Sequence, residues 1–133
     1  MAALKGAKTV GAGFKNQITY ERVVYDYSVD GGATGNLDVL TANEDIVIKS
    51  FHAYVKTSGA GSGATLMVGV PTDTDALMTT SNGAVANLVA GAVVPVPATF
   101  PVALASGAKV TQAIGTAALT AGKVEYVFGI MRP

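Results

Sequence analysis

The sequence has no cysteine, no tryptophan and one histidine, and only 14% of its 133 residues are charged. Without cysteine there is no disulfide, no thiolate metal site and no cysteine nucleophile, and redox chemistry gives no reading of the compartment. One histidine and no cysteine is a poor ligand supply for zinc. The absence of tryptophan weakens the case for a sugar-stacking platform, although Tyr20, Tyr25 and Tyr27 remain available for stacking. No Lys/Arg cluster or basic stripe is present, so nucleic acid is not an expected partner. The opening MAALKGAKTV lacks the apolar core of a secretory signal, and no N-x-Ser/Thr site occurs, so a cytoplasmic origin is expected.

What is present is apolar and small. Half of the residues are hydrophobic, many of them Ala and Val, and there are 16 glycines. That mixture favours short strands and tight turns over long amphipathic helices. The length suits one domain with a real core. So few charges also leave a large uncharged surface, which another chain is expected to cover in part. The net charge is zero but unevenly placed. Residues 1–15 hold Lys5, Lys8 and Lys15 and no acid, and the remaining six bases face nine acids. A basic arm (1–15) followed by an acidic β-domain (16–133) fits docking onto an acidic protein surface. Met1–Phe14 has no hydrophobic period and is expected to be ordered only by a partner.

The strand signal is strongest in EDIVIKSFHAYVKTS, Glu44–Ser58, rich in β-branched and aromatic residues. Neither of its faces is cleanly polar, which predicts a well-covered strand. Gly59–Gly63 follows, and Ala64–Val70 returns with Leu66, Val68 and Val70 on one face, a pattern that predicts a hairpin. Lys15–Asp30 predicts another strand, bulged near Val23-Val24, with Tyr25, Tyr27 and Val29 on one face. Gly35–Leu40 and Lys109–Ile114 predict further strands. KVEYVFGIM, Lys123–Met131, alternates cleanly and is expected to pair inside a sheet. Asp75–Thr80 reads as one helical turn.

Residues 76–108 contain no charged side chain. Ala84–Ala105 is apolar enough to raise the question of a membrane span, but Pro95, Pro97, Pro101, Gly91 and Asn87 argue against one, and no membrane partner is expected. Two readings remain open: a core-lining excursion with short strands near Val85–Val89 and Thr99–Leu104, or an apolar surface buried against neighbouring subunits. The whole pattern implies an all-β protein, an antiparallel β-sandwich or jelly roll of seven to eight strands with an extended N-terminal arm.

Candidates for chemistry are few. His52 sits mid-strand with no G-x-S-x-G nucleophile motif anywhere, and reads as a hydrogen-bonded or interface residue. Gly59–Thr65 lacks the Gly-Lys-Ser/Thr of a phosphate loop. Asp73-x-Asp75 offers two oxygens to a cation without the rest of an EF-hand. Glu21, Asp26, Asp30, Asp38 and Glu125 are scattered, and nothing selects a glycosidase pair among them. No catalytic residue, metal or cofactor is expected.

Taken together, YDYSVDGG at Tyr25–Gly32, DIVIKSFHAYVKTS, the glycine loop with ATLMVGV, the Pro/Ala/Val-rich excursion and the C-terminal TAGKVEYVFGIMRP resemble the small head decoration (cement) and minor structural proteins of tailed bacteriophages. The resemblance covers about residues 18–133 and lies in layout. It implies a β-rich, commonly trimeric, non-enzymatic protein on the outer capsid surface, held in the host cytoplasm before assembly. Its partners would be the major capsid protein and further copies of itself. The implied capsid-contact arm carries Lys5, Lys8, Phe14 and Lys15. The candidate subunit or capsid interface carries Val85, Leu88, Val93, Val94, Pro95, Val96, Phe100 and Leu104. The alternative is a head-fibre or tail-associated module that recognises a host-surface glycan through exposed tyrosines.

Overall fold

The computed structural model describes residues 3–11, 17–94 and 99–133. Within them the strands are β1 (Ala3–Val10), β2 (Thr19–Asp26), β3 (Gly35–Ala42), β4 (Ile46–Ala60), β5 (Thr65–Val70), β6 (Asp73–Met78), β7 (Val93–Val94), β8 (Val102–Leu104), β9 (Lys109–Gly115) and β10 (Ala121–Met131). One helical turn, α1 (Tyr27–Asp30), follows β2, and a 3-10 turn spans Val85–Asn87. The first sheet has the order β1-β3-β9-β5-β6. The second runs β2-β10-β4, with β7 and β8 both paired to β4. The expected all-β sandwich is present, with ten described strands rather than seven or eight. All pairs are antiparallel except β1–β3, which is parallel.

β10 is the strand that the alternation predicts. Val124, Tyr126, Phe128 and Ile130 are all buried, and the strand lies between β2 and β4. Its inward aromatics meet Phe51 of β4, whose ring lies 5.8 Å from Tyr126 and 5.1 Å from Phe128. β4 buries Ile46 and Ile48, then Phe51, Ala53 and Val55, which cannot all share one face of a regular strand. A bulge resolves the conflict. Gly129 pairs with Ser50 and Ile130 with Ile48, so Lys49 is the extra residue and the inward face changes parity there. By contrast, β2 pairs with β10 without a register shift, so the bulge expected at Val23-Val24 is absent.

The segment after β2 corrects a second expectation. Tyr27 and Val29 do not continue the strand, because Asp26 caps a helical turn: its Oδ1 accepts from Ser28 N at 3.0 Å and from Ser28 Oγ at 2.7 Å. Gly31, at φ 79°, closes the turn by donating to Tyr27 O at 2.9 Å. Tyr25 donates its hydroxyl to Gly31 O at 2.7 Å from inside the core.

The glycine segment after β4 is an arch between sheets. β4 and β5 belong to different sheets, so Gly59–Gly63 does not close a hairpin. Gly61 and Gly63 adopt φ of 125° and 77° to turn the chain across the sandwich. β5 instead forms its hairpin with β6, where the sequence suggests a helical turn at Asp75–Thr80.

The N-terminal segment requires the largest correction. Residues 3–10 form an edge strand of the first sheet, with Leu4 and Val10 buried in the common core. Two inward residues suffice because β3 supplies the ladder. Asp30 adds a tie: Oδ1 accepts from Lys5 N at 2.6 Å and Oδ2 from Asp26 N at 3.0 Å.

Candidate interaction surface

His52 is exposed on the outer face of the second sheet. Its ring stacks on Tyr54 at 5.9 Å and 18°, and Lys56 Nζ lies 6.0 Å from the centre of the Tyr54 ring. Its cross-strand neighbour is Val127, which offers neither a proton acceptor nor a nucleophile. Among the described residues no group of three His, Cys, Asp or Glu side chains converges as a metal site would. Asp73 and Asp75 lie exposed on β6. Asp75 N donates to Asp73 Oδ1 at 3.4 Å, and a carboxyl-to-carboxyl hydrogen bond with Asp73, then desolvation and repulsion from Asp73, hold the Asp75 carboxyl above its ordinary pKa.

The tyrosines expected to stack on a ligand are separated. Tyr25 is fully buried, Tyr27 half-buried, and only Tyr20 stands out at 66% exposure. Burial and the nearby Asp30 push the Tyr25 phenol up to about 12. Tyr20 lies beside Ile18 over Gly129, the position where β10 has no side chain to compete. Rows across the sheet continue this outer face: Arg22, Val127 and His52; then Val24, Glu125, Tyr54 and Val93. Arg22 Nε lies 3.2 Å from Glu125 Oε1. The surface is thus apolar and aromatic with interspersed charges. The residues of β10 that alternate with its buried set carried this signal in the sequence.

The predicted contact residues divide. Lys5 and Lys8 are exposed on β1, and Lys8 Nζ lies 3.6 Å from Glu21 Oε2 of β2. Phe14, Lys15, Pro95 and Val96 lie outside the described residues. Leu88, Val94 and Leu104 are core side chains, not an interface, because β7, β8 and the 3-10 turn pack them against β4 and its neighbours. Val85 and Phe100 are half-buried against the same core. Val93 is 53% exposed and Val89 55%. Among the described residues of the excursion, Leu88, Val94 and Leu104 line the core, while Val89, Ala90, Val93, Pro101, Ala103 and Ala105 are exposed.

A feature not singled out in the sequence lies around the Val70–Thr72 turn. A cavity of about 540 Å³ on one side is lined by Asp73, Asp75, Thr99 and Ala103. One of about 340 Å³ on the other is lined by Asn36, Asp38, Thr74 and Lys109. Asp38 is 6% exposed, with Lys109 Nζ 3.4 Å from its Oδ2 and no partner for its buried Oδ1.

No family model matches the sequence, and no curated protein matches it. Among solved structures, a chain of the cyanophage Pam1 capsid asymmetric unit shares the fold, with a TM-score of 0.61 and 18% identity. The superposition covers 93% of this chain and 91% of that chain. At that identity the likeness is one of fold, and it spans both sheets.

Proposed function

We propose that this chain is a non-enzymatic phage virion structural protein that binds the outer capsid surface as an oligomer, a trimer by preference, and cements neighbouring capsomers. The observation that carries the reading is the near-complete match, in both directions, to a chain of a phage capsid asymmetric unit. The surface supports it: the exposed groups of the second sheet form a broad mixed face suited to protein contact. Its partners would be the major capsid protein and copies of itself, in the host cytoplasm first and on the virion afterwards.

The mechanism is linkage and avidity. An oligomer that touches several capsid subunits converts later contacts into intramolecular ones. Whatever binds only the assembled lattice stabilises that lattice. Lys5 and Lys8 are exposed on β1, Lys8 beside Glu21, and in this reading they would meet acidic capsid groups. Because β1 contributes Leu4 and Val10 to the core, the contact is tested by Lys5→Glu and Lys8→Glu and not by removing residues 1–15.

The experiment is native mass followed by co-sedimentation with shells of the phage that encodes the chain. A trimer that pellets with shells is expected. A monomer that stays in the supernatant overturns the reading. The exposed Tyr20 beside Ile18 favours the second reading, a glycan-recognising head-fibre or tail module. Glycan binding that is lost in Tyr20→Ala would then take precedence.

A further inference from the structure

The cavities flanking the Val70–Thr72 turn are parts of one groove. A third, of about 360 Å³, is lined by Val70, Pro71, Thr72 and Ala103–Ala105 and shares walls with both others. The groove therefore bends around the turn, between the β5–β6 hairpin and the strand-to-loop segment that leaves β8. The floor of its central stretch is apolar, built from Val70, Pro71, Ala103, Leu104, Ala105 and Ala108. The turn above it is held tightly, since Gly69 packs against the backbone of Thr74 with no room for a Cβ.

The charge around this floor is uneven, with two carboxylates on one arm and an Asp38–Lys109 ion pair on the other. Asp73 and Asp75 line one arm, and no cation lies within ion-pair distance of either among the described residues. Asp38 lines the other arm, nearly fully buried, with one carboxylate oxygen paired to Lys109 and the other paired to nothing. A buried carboxylate oxygen without a partner costs free energy that an incoming donor recovers. Two carboxylates in contact on the opposite arm are relieved by a cation between them. An apolar channel with two carboxylates at one end fits an extended segment bearing a cationic side chain, whose aliphatic stem lies along the floor while its head reaches Asp73 and Asp75.

We propose that this groove docks an extended, lysine- or arginine-bearing peptide segment of a partner protein. In the setting of the proposed function, on which this identification of the partner rests, the segment belongs to the capsid subunit.

The test uses the full chain and two synthetic probes, a Lys-Ala-Lys-Ala-Lys peptide and its Glu-Ala-Glu-Ala-Glu counterpart, with binding read by amide chemical shifts. Shifts centred on Val70–Asp75 and Ala103–Ala105 with the lysine peptide alone are expected. Asp73→Asn/Asp75→Asn should weaken binding about tenfold or more. Ala103→Trp, which fills the groove from an exposed position, should abolish it while leaving the rest of the spectrum in place. Shifts confined to the outer face around Tyr54 and Val127, or no binding, overturn the proposal. Calcium binding at Asp73 and Asp75 without peptide binding also overturns it, by making the pair a cation site.

Shell co-sedimentation separates the two readings. Shells that bind the Ala103→Trp variant as well as the wild type remove the groove and leave the capsid role standing. Peptide binding in the groove by a chain that no shell retains does the reverse.

Discussion

Tyr126 donates its hydroxyl to Gln112 Oε1 across the interior of the sandwich, joining β10 of one sheet to β9 of the other. Both side chains are fully buried, and Gln112 Nε2 has no partner. The pair fixes how the sheets sit on each other, since sliding either one would strand two polar groups in an apolar interior. Tyr126→Phe should therefore cost about 1–3 kcal/mol by leaving the Gln112 carbonyl unpaired. Adding Gln112→Leu should recover most of that loss, giving a favourable coupling in a double-mutant cycle measured by urea unfolding. Additive losses would mean that the pair is not coupled.

Alkaline pH should unfold the protein through its buried phenols. Burial pushes Tyr25 up to about 12 and Tyr126 well above the ordinary phenol value near 10. Above about pH 10 the unfolded chain gives up these protons while the folded chain keeps them, so folding loses free energy as pH rises. The contribution is intact below pH 10 and, for Tyr25, is lost progressively up to about pH 12. A melting temperature that falls steeply across that window is expected, with the tyrosinate absorbance of the two buried phenols appearing only at the unfolding transition. Tyr126→Phe should flatten the slope.

What the sequence made legible depended on whether the decisive interaction was local. β10 shows its period because each of Val124, Tyr126, Phe128 and Ile130 faces one core from a regular strand. Tyr27 reads as strand in the sequence because the competing force, the Asp26 side chain capping its own chain two residues on, is a single hydrogen-bond pattern inside a strand-like composition. The arch at Gly59–Gly63 obeys the same local rule as a hairpin, and only the partners of β4 and β5, distant in sequence, distinguish them. β1 was illegible for a related reason: its ladder comes from β3, and its own apolar signal is two residues, Leu4 and Val10. The groove has no signature at all, since it is assembled from Asp38, Val70, Asp73 and Ala103, which only the fold brings together.

The bulge at Lys49 makes a prediction that a regular strand would not. Ile48 and Phe51 differ in parity, yet both are buried. Ile48→Ala should cost about 2–5 kcal/mol and Phe51→Ala about 3–5 kcal/mol. His52→Ala, on the exposed face, should stay within about 0.5 kcal/mol. A cheap Ile48→Ala beside a costly Phe51→Ala would place Ile48 outside and restore the regular strand. A catalytic activity lost in stable His52→Ala would also reopen the enzymatic reading.

Two ion pairs of similar length should differ in worth. Lys109–Asp38 is 3.4 Å long with an Asp38 side chain 8% exposed, while Arg22–Glu125 is 3.2 Å long with Arg22 67% exposed. Removing the lysine as Lys109→Met leaves a carboxylate that water barely reaches, at a cost of about 1–3 kcal/mol. Arg22→Met leaves Glu125 nearer solvent and should cost about 0–1 kcal/mol. Raised salt should lessen the second difference more than the first. Equal losses in urea titrations would show that the Asp38 pocket is wetter than its geometry implies.

Asp30 is the residue on which the placement of β1 turns. Its two oxygens accept from Lys5 N of β1 and Asp26 N at the end of β2, so one carboxylate bridges the edges of both sheets beside the capped turn. The β1–β3 ladder is interrupted between Ala3 and Lys8, so this tie secures the stretch that β3 does not hold. Asp30→Ala should cost about 1–3 kcal/mol by orphaning both amides. Its sharper readout is local. Hydrogen exchange at Leu4–Ala7 should accelerate well beyond the global loss, while the amides of Tyr126 and Phe128 in central β10 slow or speed only with overall stability. Uniform acceleration along β1 and β10 alike would mean that β1 unfolds only with the whole sandwich, and that Asp30 adds stability without controlling the edge.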